Sequence, residues 1–222
     1  MVNLALVIVL GVVGPAACLV AGADAMWLGL GALAWVLGVV IKIVASVLAG
    51  ILTAKQSATV QSMAQGVISA AAELGAAWGL LEALGRAVTT ADILAFAVGA
   101  GSFEGLLVVG AALLSRPTPE AQAQWEQRAR EAWVVRFQFA LERLIAWGGH
   151  LGSRSLVAYS WRTGAWGFGL AALITFSITD GLATYGQLRE WDWTDAAVLC
   201  RYLSAAGLLV LIELGLLIIA LI

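Results

Sequence analysis

The sequence predicts an all-α, polytopic membrane helical bundle of about seven transmembrane helices. Three observations predict it: the composition, the length of the apolar runs, and their lack of alternation. Of 222 residues, 62% are hydrophobic and only 12% are charged. Soluble domains carry roughly 25% charged and 45–50% apolar residues. A chain this poor in polar groups cannot clothe a surface that faces water, which excludes a soluble globular protein. The low charge, balanced at 12 basic against 14 acidic residues, also excludes disorder and nucleic-acid binding. A spanning helix needs about 20 mostly apolar residues, so the chain has room for six or seven. Strands of a membrane barrel alternate apolar and polar residues. The run Leu208–Ile222 does not.

The predicted spans lie at about 4–22, 26–53, 64–86, 91–114, 136–160, 163–186 and 197–222, within one domain covering 1–222. The first is read as a retained helix, because Met1–Leu10 has no basic stretch ahead of its apolar run. Pro15-Ala16-Ala17-Cys18 is a poor lipoprotein signal. Lys42 interrupts the second span. Short polar joints follow at Asp24, Lys55-Gln56-Ser57, Thr89 to Asp92, and Glu190 to Trp193. Ser115-Arg116-Pro117-Thr118-Pro119 stops the fourth span and opens an interfacial segment, 115–135, in which Glu120–Glu131 reads as a charged helix. Trp125, Trp133 and Phe137 suit the membrane interface, where an aromatic ring can stay half wet. Glycines at 75/79, 101/105, 148/149/152 and 164/167/169 mark expected close approaches of helices. Cys18 and Cys200 are too few for a zinc site and carry no redox message.

Cations fix the expected orientation. Lys55, Arg116, Arg128, Arg130, Arg136, Arg189 and Arg201 fall on one side of the bundle, against Arg86, Arg154 and Arg162 on the other. The positive-inside rule puts the N-terminus in the cytoplasm of a prokaryotic cytoplasmic membrane and, with seven spans, the C-terminus outside.

Ionisable residues inside the spans are the informative ones, since each costs about 2.5–3.5 kcal/mol at a helix centre on insertion scales. They are Lys42, Glu73, Glu82, Arg86, Glu104, Glu142, Arg143, His150, Arg154, Asp180 and Glu213. Glu82 and Arg86 stand four apart, as an ion pair on one helix would. Glu142, Ala146, His150 and Arg154 recur every four residues along one stripe. Two readings compete. One is a polar intramembrane site built from Glu82, Glu104, Glu142 and His150, with His150 as proton carrier or ligand. The other is a set of ion pairs that holds the bundle together. Lys42 and Arg143 are long enough to snorkel. Glu213 has no partner that spacing can name.

Four motifs in series carry a resemblance. They are Leu81-Glu82-Ala83-Leu84-Gly85-Arg86; Phe96 through Gly99-Ala100-Gly101-Ser102-Phe103-Glu104; Glu142-Arg143 with His150 and Arg154; and Phe176-Ser177-Ile178-Thr179-Asp180. In this order, over about residues 75–185, the chain resembles the YhfC-like branch of the CPBP/PrsW-type (glutamic/metallo) intramembrane protease superfamily. The resemblance implies a CPBP-type helical core. It implies Glu82 and Glu104 at the catalytic positions, with Arg86, Glu142, His150, Arg154 and Asp180 as a supporting polar set. Ala83, Ala100 and Phe176 stand where active relatives carry a second glutamate and two histidines. Peptide hydrolysis needs a base for water and a donor or metal for the oxyanion, and Ala and Phe supply neither.

The expected function is therefore that of a catalytically degenerate member, acting as a scaffold or accessory subunit of a membrane complex or as a transmembrane peptide or lipid binder. No cofactor or metal is expected. The expected partners are the lipid bilayer and other membrane proteins, and no nucleic acid. One alternative is an active glutamic-type or metal-dependent protease using Glu82 and Glu104, which would bring in a divalent metal. The other is a structural or transport component of a larger membrane assembly.

Overall fold

The computed structural model describes residues 2–115 and 117–222. Among them are nine helices and no strand: α1 (Val2–Val20), α2 (Ala25–Thr53), α3 (Ala58–Leu84), α4 (Thr90–Leu114), α5 (Pro119–Glu131), α6 (Trp133–Arg136), α7 (Gln138–Thr163), α8 (Trp166–Leu188) and α9 (Ala196–Leu221). Six of them, α1 to α4 with α8 and α9, are long and apolar enough to cross a membrane. The protein is thus a multi-pass, all-α membrane bundle. The seventh long helix, α7, has 26 residues but carries Glu142, Arg143, Arg154 and Arg162. It can do so because it runs through the middle, packed against α1, α3, α4, α8 and α9.

Local chemistry sets the helix ends. Asp24, Ser57, Thr89, Thr118 and Asp195 each accept a backbone N–H of the first turn, which satisfies a donor that has no intrahelical partner. Thr89 and Asp92 form a reciprocal capping box. Gly85 and Gly164 close α3 and α7 in the left-handed conformation, at φ 55° and 73°, which costs a residue without Cβ least. The Ser57 cap starts α3 six residues ahead of the expected 64. Polar Gln61 and Ser62 hid that turn. Ser62 is 4% exposed, and its carbonyl oxygen lies against Gly181 of α8.

Some glycines bring backbones together. A Cβ on Gly31 would lie 1.8 Å from the Phe96 carbonyl oxygen, joining α2 to α4, and one on Gly66 would lie 2.1 Å from that of Ser177, joining α3 to α8. Of the expected glycine contacts, Gly101, Gly105, Gly148, Gly149, Gly152 and Gly169 meet neighbouring helices. Gly75, Gly79, Gly164 and Gly167 have no neighbour within 4 Å.

Contacts at the two ends confirm that the long helices alternate in direction. At one end, Asn3 Nδ2 donates to the Arg136 carbonyl at 2.6 Å and Arg128 faces Asp192 at 3.9 Å. At the other, the Asp24 amide donates to Asp92 at 3.3 Å and Arg162 donates to Thr90 at 3.4 Å. The first end, here the α5 end, holds Lys55, Arg128, Arg130, Arg136, Arg189 and Arg201, against Arg86 and Arg162 at the far end. Arg116 lies outside the described residues.

Candidate functional site

Seven of the eleven intramembrane ionisable residues, Lys42, Glu73, Glu104, Arg143, His150, Arg154 and Asp180, form one connected network across five helices. Lys42 Nζ on α2 lies 3.0 Å from Glu73 Oε1 on α3 and 2.9 Å from Asp180 Oδ2 on α8. Ser69, one turn before Glu73, donates to the same Asp180 oxygen. Glu73 Oε2 accepts from Arg154 Nη2 of α7 at 2.7 Å. Arg154 Nη1 meets His150 Nδ1, and His150 Nε2 meets Glu104 Oε2 on α4. Glu104 also accepts from Arg143 Nη1 at 2.7 Å and from the Trp35 indole at 2.9 Å.

Donor and acceptor chemistry fixes the histidine tautomer. A guanidinium only donates, so Nδ1 facing Arg154 must be the acceptor. The proton then sits on Nε2, which donates to Glu104. His150 is a neutral link, with Lys42, Arg143 and Arg154 balancing Glu73, Glu104 and Asp180. Pairing of this kind makes the charges tolerable in a bilayer. Arg154 is fully buried, and only its Nε lacks a partner.

Beside the network lies a cavity of about 510 Å³, within the range of small-ligand sites. Gln138, Gln187 and Trp193 line it at the α5 end, and Glu73, His150, Phe176 and Glu213 line it deeper in. On α7 the lining stops at His150, twelve residues from the helix start, which is about 18 Å at the rise of an α-helix. The cavity is a one-sided funnel reaching the middle of the bundle.

Glu104, Glu142, His150 and Asp180 line this one cavity, and Arg154 joins through His150 and Glu73. Glu82 and Arg86 stand elsewhere. Glu82 is exposed and accepts the Trp161 indole N–H at 2.9 Å. Trp161 lies eleven residues beyond His150 on α7, about 16 Å along the axis. Nor do Glu82 and Arg86 pair. Gly85 ends α3 between them, so Arg86 leaves the helix face and places Nη1 3.2 Å from Met26 Sδ.

Lys42, Glu73, Trp35 and Ser69 belong to the site although the motifs passed them by, and Arg143, which stood in a motif but was read as able to snorkel, belongs to it too. Lys42 carried a readable signal: it lies eleven residues from the nearer end of α2, about 16 Å, too deep to snorkel. Glu213 also finds its partner here, the Thr175 hydroxyl at 2.5 Å. Phe176, standing at the resembled histidine position, has its ring centroid 6.4 Å from that of His150. Among the described residues no three His, Cys, Asp or Glu side chains are grouped to hold a metal ion. Both nitrogens of His150 are already engaged. The donor set does not fit a divalent metal.

Asp192 lies in the α8–α9 joint beside the cavity mouth. The Thr194 hydroxyl at 2.7 Å and the Thr194 amide at 2.9 Å both donate to its Oδ1. These bonds favour the charged form and hold the carboxyl below its ordinary value, with Arg128 adding a weaker pull. A depressed folded value means the turn's contribution is present above the ordinary carboxylate range and is lost as pH falls through the folded midpoint. Thr194→Val is expected to raise the Asp192 midpoint, which a carboxyl NMR titration in micelles would read. An unchanged midpoint would show that the backbone amide at 194 and Arg128, not the Thr194 hydroxyl, govern it.

Fold and site together define a multi-pass α-helical membrane protein with a charged, internally neutralised network beside a one-sided interior cavity. No family model, curated protein or solved structure matches the chain.

Proposed function

We propose that this chain is a catalytically degenerate, intramembrane-protease-like protein. In this reading it holds a transmembrane peptide or a lipid in the α5-end cavity, as an accessory or scaffold subunit of a membrane complex. The carrying observation is that both Glu104 oxygens are engaged, by three donors of the roughly four a carboxylate can accept. A general base must offer a lone pair to water, and Glu104 is already met by Arg143, Trp35 and His150. Ala83, Ala100 and Phe176 supply no substitute. The alternative pairing of Glu82 with Glu104 would need both at one water, and their partners on α7, Trp161 and His150, stand eleven residues apart. In this reading α7 is a seventh crossing shielded by its neighbours. The cation-rich α5 end and the N-terminus face the cytoplasm of a prokaryotic cell, and the C-terminus lies outside.

Native mass spectrometry of the protein extracted from its own membrane tests the reading. A stoichiometric lipid, peptide or protein partner, with no cleavage of a panel of membrane reporter substrates, is the expected result. Cleavage that disappears in Glu104→Gln or Glu82→Gln would overturn it.

A further inference from the structure

A groove runs along the lipid-facing seam of α7 and α9. The two helices lie side by side and run in the same direction. A Cβ on Gly207 would meet Ile145 Cδ1 at 3.9 Å, one on Gly148 would meet Val210 Cγ1 at 2.9 Å, and one on Gly152 would meet Glu213 Cβ at 2.6 Å. Gly148 and Gly207, which carry no side chain, hollow the seam, and the groove encloses about 630 Å³. Its other lining residues are apolar, except for the hydroxyl of Ser204. Ile145, Leu203 and Val210 also line the α5-end cavity, so they form a wall between the two. The groove faces the bilayer instead: Leu208 and Leu211 on its rim are 60% and 66% exposed.

Depth points to the occupant. From Leu203 to Ile222 the only Asp, Glu, Lys, Arg or His is Glu213, which is buried. That run is about 30 Å long at the rise of an α-helix, the thickness of a bilayer's hydrocarbon core. Arg201 and Tyr202 therefore mark the membrane boundary at the α5 end. The α9 lining of the groove runs from Leu203 to Leu214, about 16 Å. It reaches from that boundary to about the midplane, which is the span of one leaflet's acyl chain.

The head of the groove carries phospholipid-binding groups in the order the lipid presents its own. Arg201 stands three residues before Ser204 and seven before Leu208, so all three share one face of α9. Arg201 is exposed and makes no ion pair among the described residues. Ser204 is exposed too, and its hydroxyl is not bonded back to its own helix as those of Ser177 and Thr179 are. A guanidinium suits a phosphate. The hydroxyl one turn deeper suits an ester carbonyl, and the apolar seam below it suits the chain.

We infer that the α7–α9 groove is a binding site for one anionic phospholipid of the α5-side leaflet, with its phosphate on Arg201, a glycerol ester on Ser204 and an acyl chain against Gly148 and Gly207. The inference does not depend on what the α5-end cavity holds.

Native mass spectrometry of the full chain in maltoside micelles tests it, with phosphatidylglycerol and phosphatidylcholine of identical chains added in equal amounts. One lipid per chain is expected, with phosphatidylglycerol retained about fivefold over phosphatidylcholine, the worth of one cation at an anionic surface. Arg201→Gln is expected to remove that preference. Gly207→Leu, which fills the groove, is expected to lose both lipids. Gly50→Leu on α2 is the control, since nothing lies within 4 Å of a Cβ there, and it should retain lipid as the unaltered chain does. Should Gly207→Leu not fold, Ser204→Phe blocks the head of the groove from an exposed position and is expected to act alike. Equal retention of the two lipids by the unaltered chain, or an undiminished preference in Arg201→Gln, would overturn the inference. So would equal loss in Gly50→Leu, or lipid retained in full by Gly207→Leu and Ser204→Phe; the latter would place the lipid outside the groove, the α5-end cavity included. A dimer of the chain that Gly207→Leu disrupts would also overturn it, assigning the groove to a second copy.

Discussion

Arg154→Met should be the most damaging single substitution in the network, lowering the unfolding free energy by about 3–5 kcal/mol. Methionine replaces most of the side-chain stem, so packing is largely kept and the loss is electrostatic. Glu73, with a side chain 4% exposed, loses the donor 2.7 Å from its Oε2. His150 loses the donor to Nδ1 that fixes its tautomer. Lys42 still holds Glu73 Oε1 at 3.0 Å, which keeps the carboxylate from being wholly uncompensated. Removing the acid as well, in Arg154→Met with Glu73→Gln, should recover part of the loss, because an unpaired buried charge costs more than the absence of the pair. Reversible unfolding in mixed micelles, followed by circular dichroism, reads both variants. A loss below about 1 kcal/mol for Arg154→Met would mean that water or lipid, not the network, satisfies these groups.

The fold was legible where bilayer thickness dictates run length. The spans ending near Thr53, Leu114 and Leu188 could be read from apolarity and the polar joints behind them. The start of α3 could not, because Gln61 and Ser62 look like a loop, and Ser62 is buried by its packing against Gly181 of α8. At the site, the i,i+4 rule found His150 with Arg154, since both ride one unbroken helix. It failed at Glu82 with Arg86, where Gly85 ends the helix between them. Charges inside spans must face inward, which pointed to Glu104 and Glu142 along with nine others, while Asp180 entered the expected site only through the resemblance. Partners on other helices obey no local spacing: Lys42 reaches Glu73 across 31 residues and Asp180 across 138. Thr175, as a neutral hydroxyl, gave no sign that it would bond Glu213.

Gly31→Ala should separate two helices and loosen the site through them. Its Cβ would lie 1.8 Å from the carbonyl oxygen of Phe96 and 3.1 Å from the Ala100 amide nitrogen. Both are backbone atoms, so no side chain can swing aside, and α2 must move off α4. Overpacking of this kind costs about 1–3 kcal/mol, occasionally more. The site feels it directly. Trp35 is one turn further along the same face of α2, and its indole donates to Glu104 at 2.9 Å. Gly38 repeats the arrangement: a Cβ there would lie 2.7 Å from Glu73 Cα, one turn before Lys42, which binds Glu73. Each glycine lets α2 come close enough for the polar residue one turn later to reach its partner. Gly29→Ala is the control, because nothing lies within 4 Å of a Cβ there and alanine favours helix by about 1 kcal/mol over glycine. It should leave stability unchanged or raise it, while Gly31→Ala lowers it and red-shifts the Trp35 emission in a protein that keeps this tryptophan alone. Equal stability of the two variants would mean that α2 and α4 do not depend on backbone contact at Gly31. The approach of Trp35 to Glu104 would then need another cause.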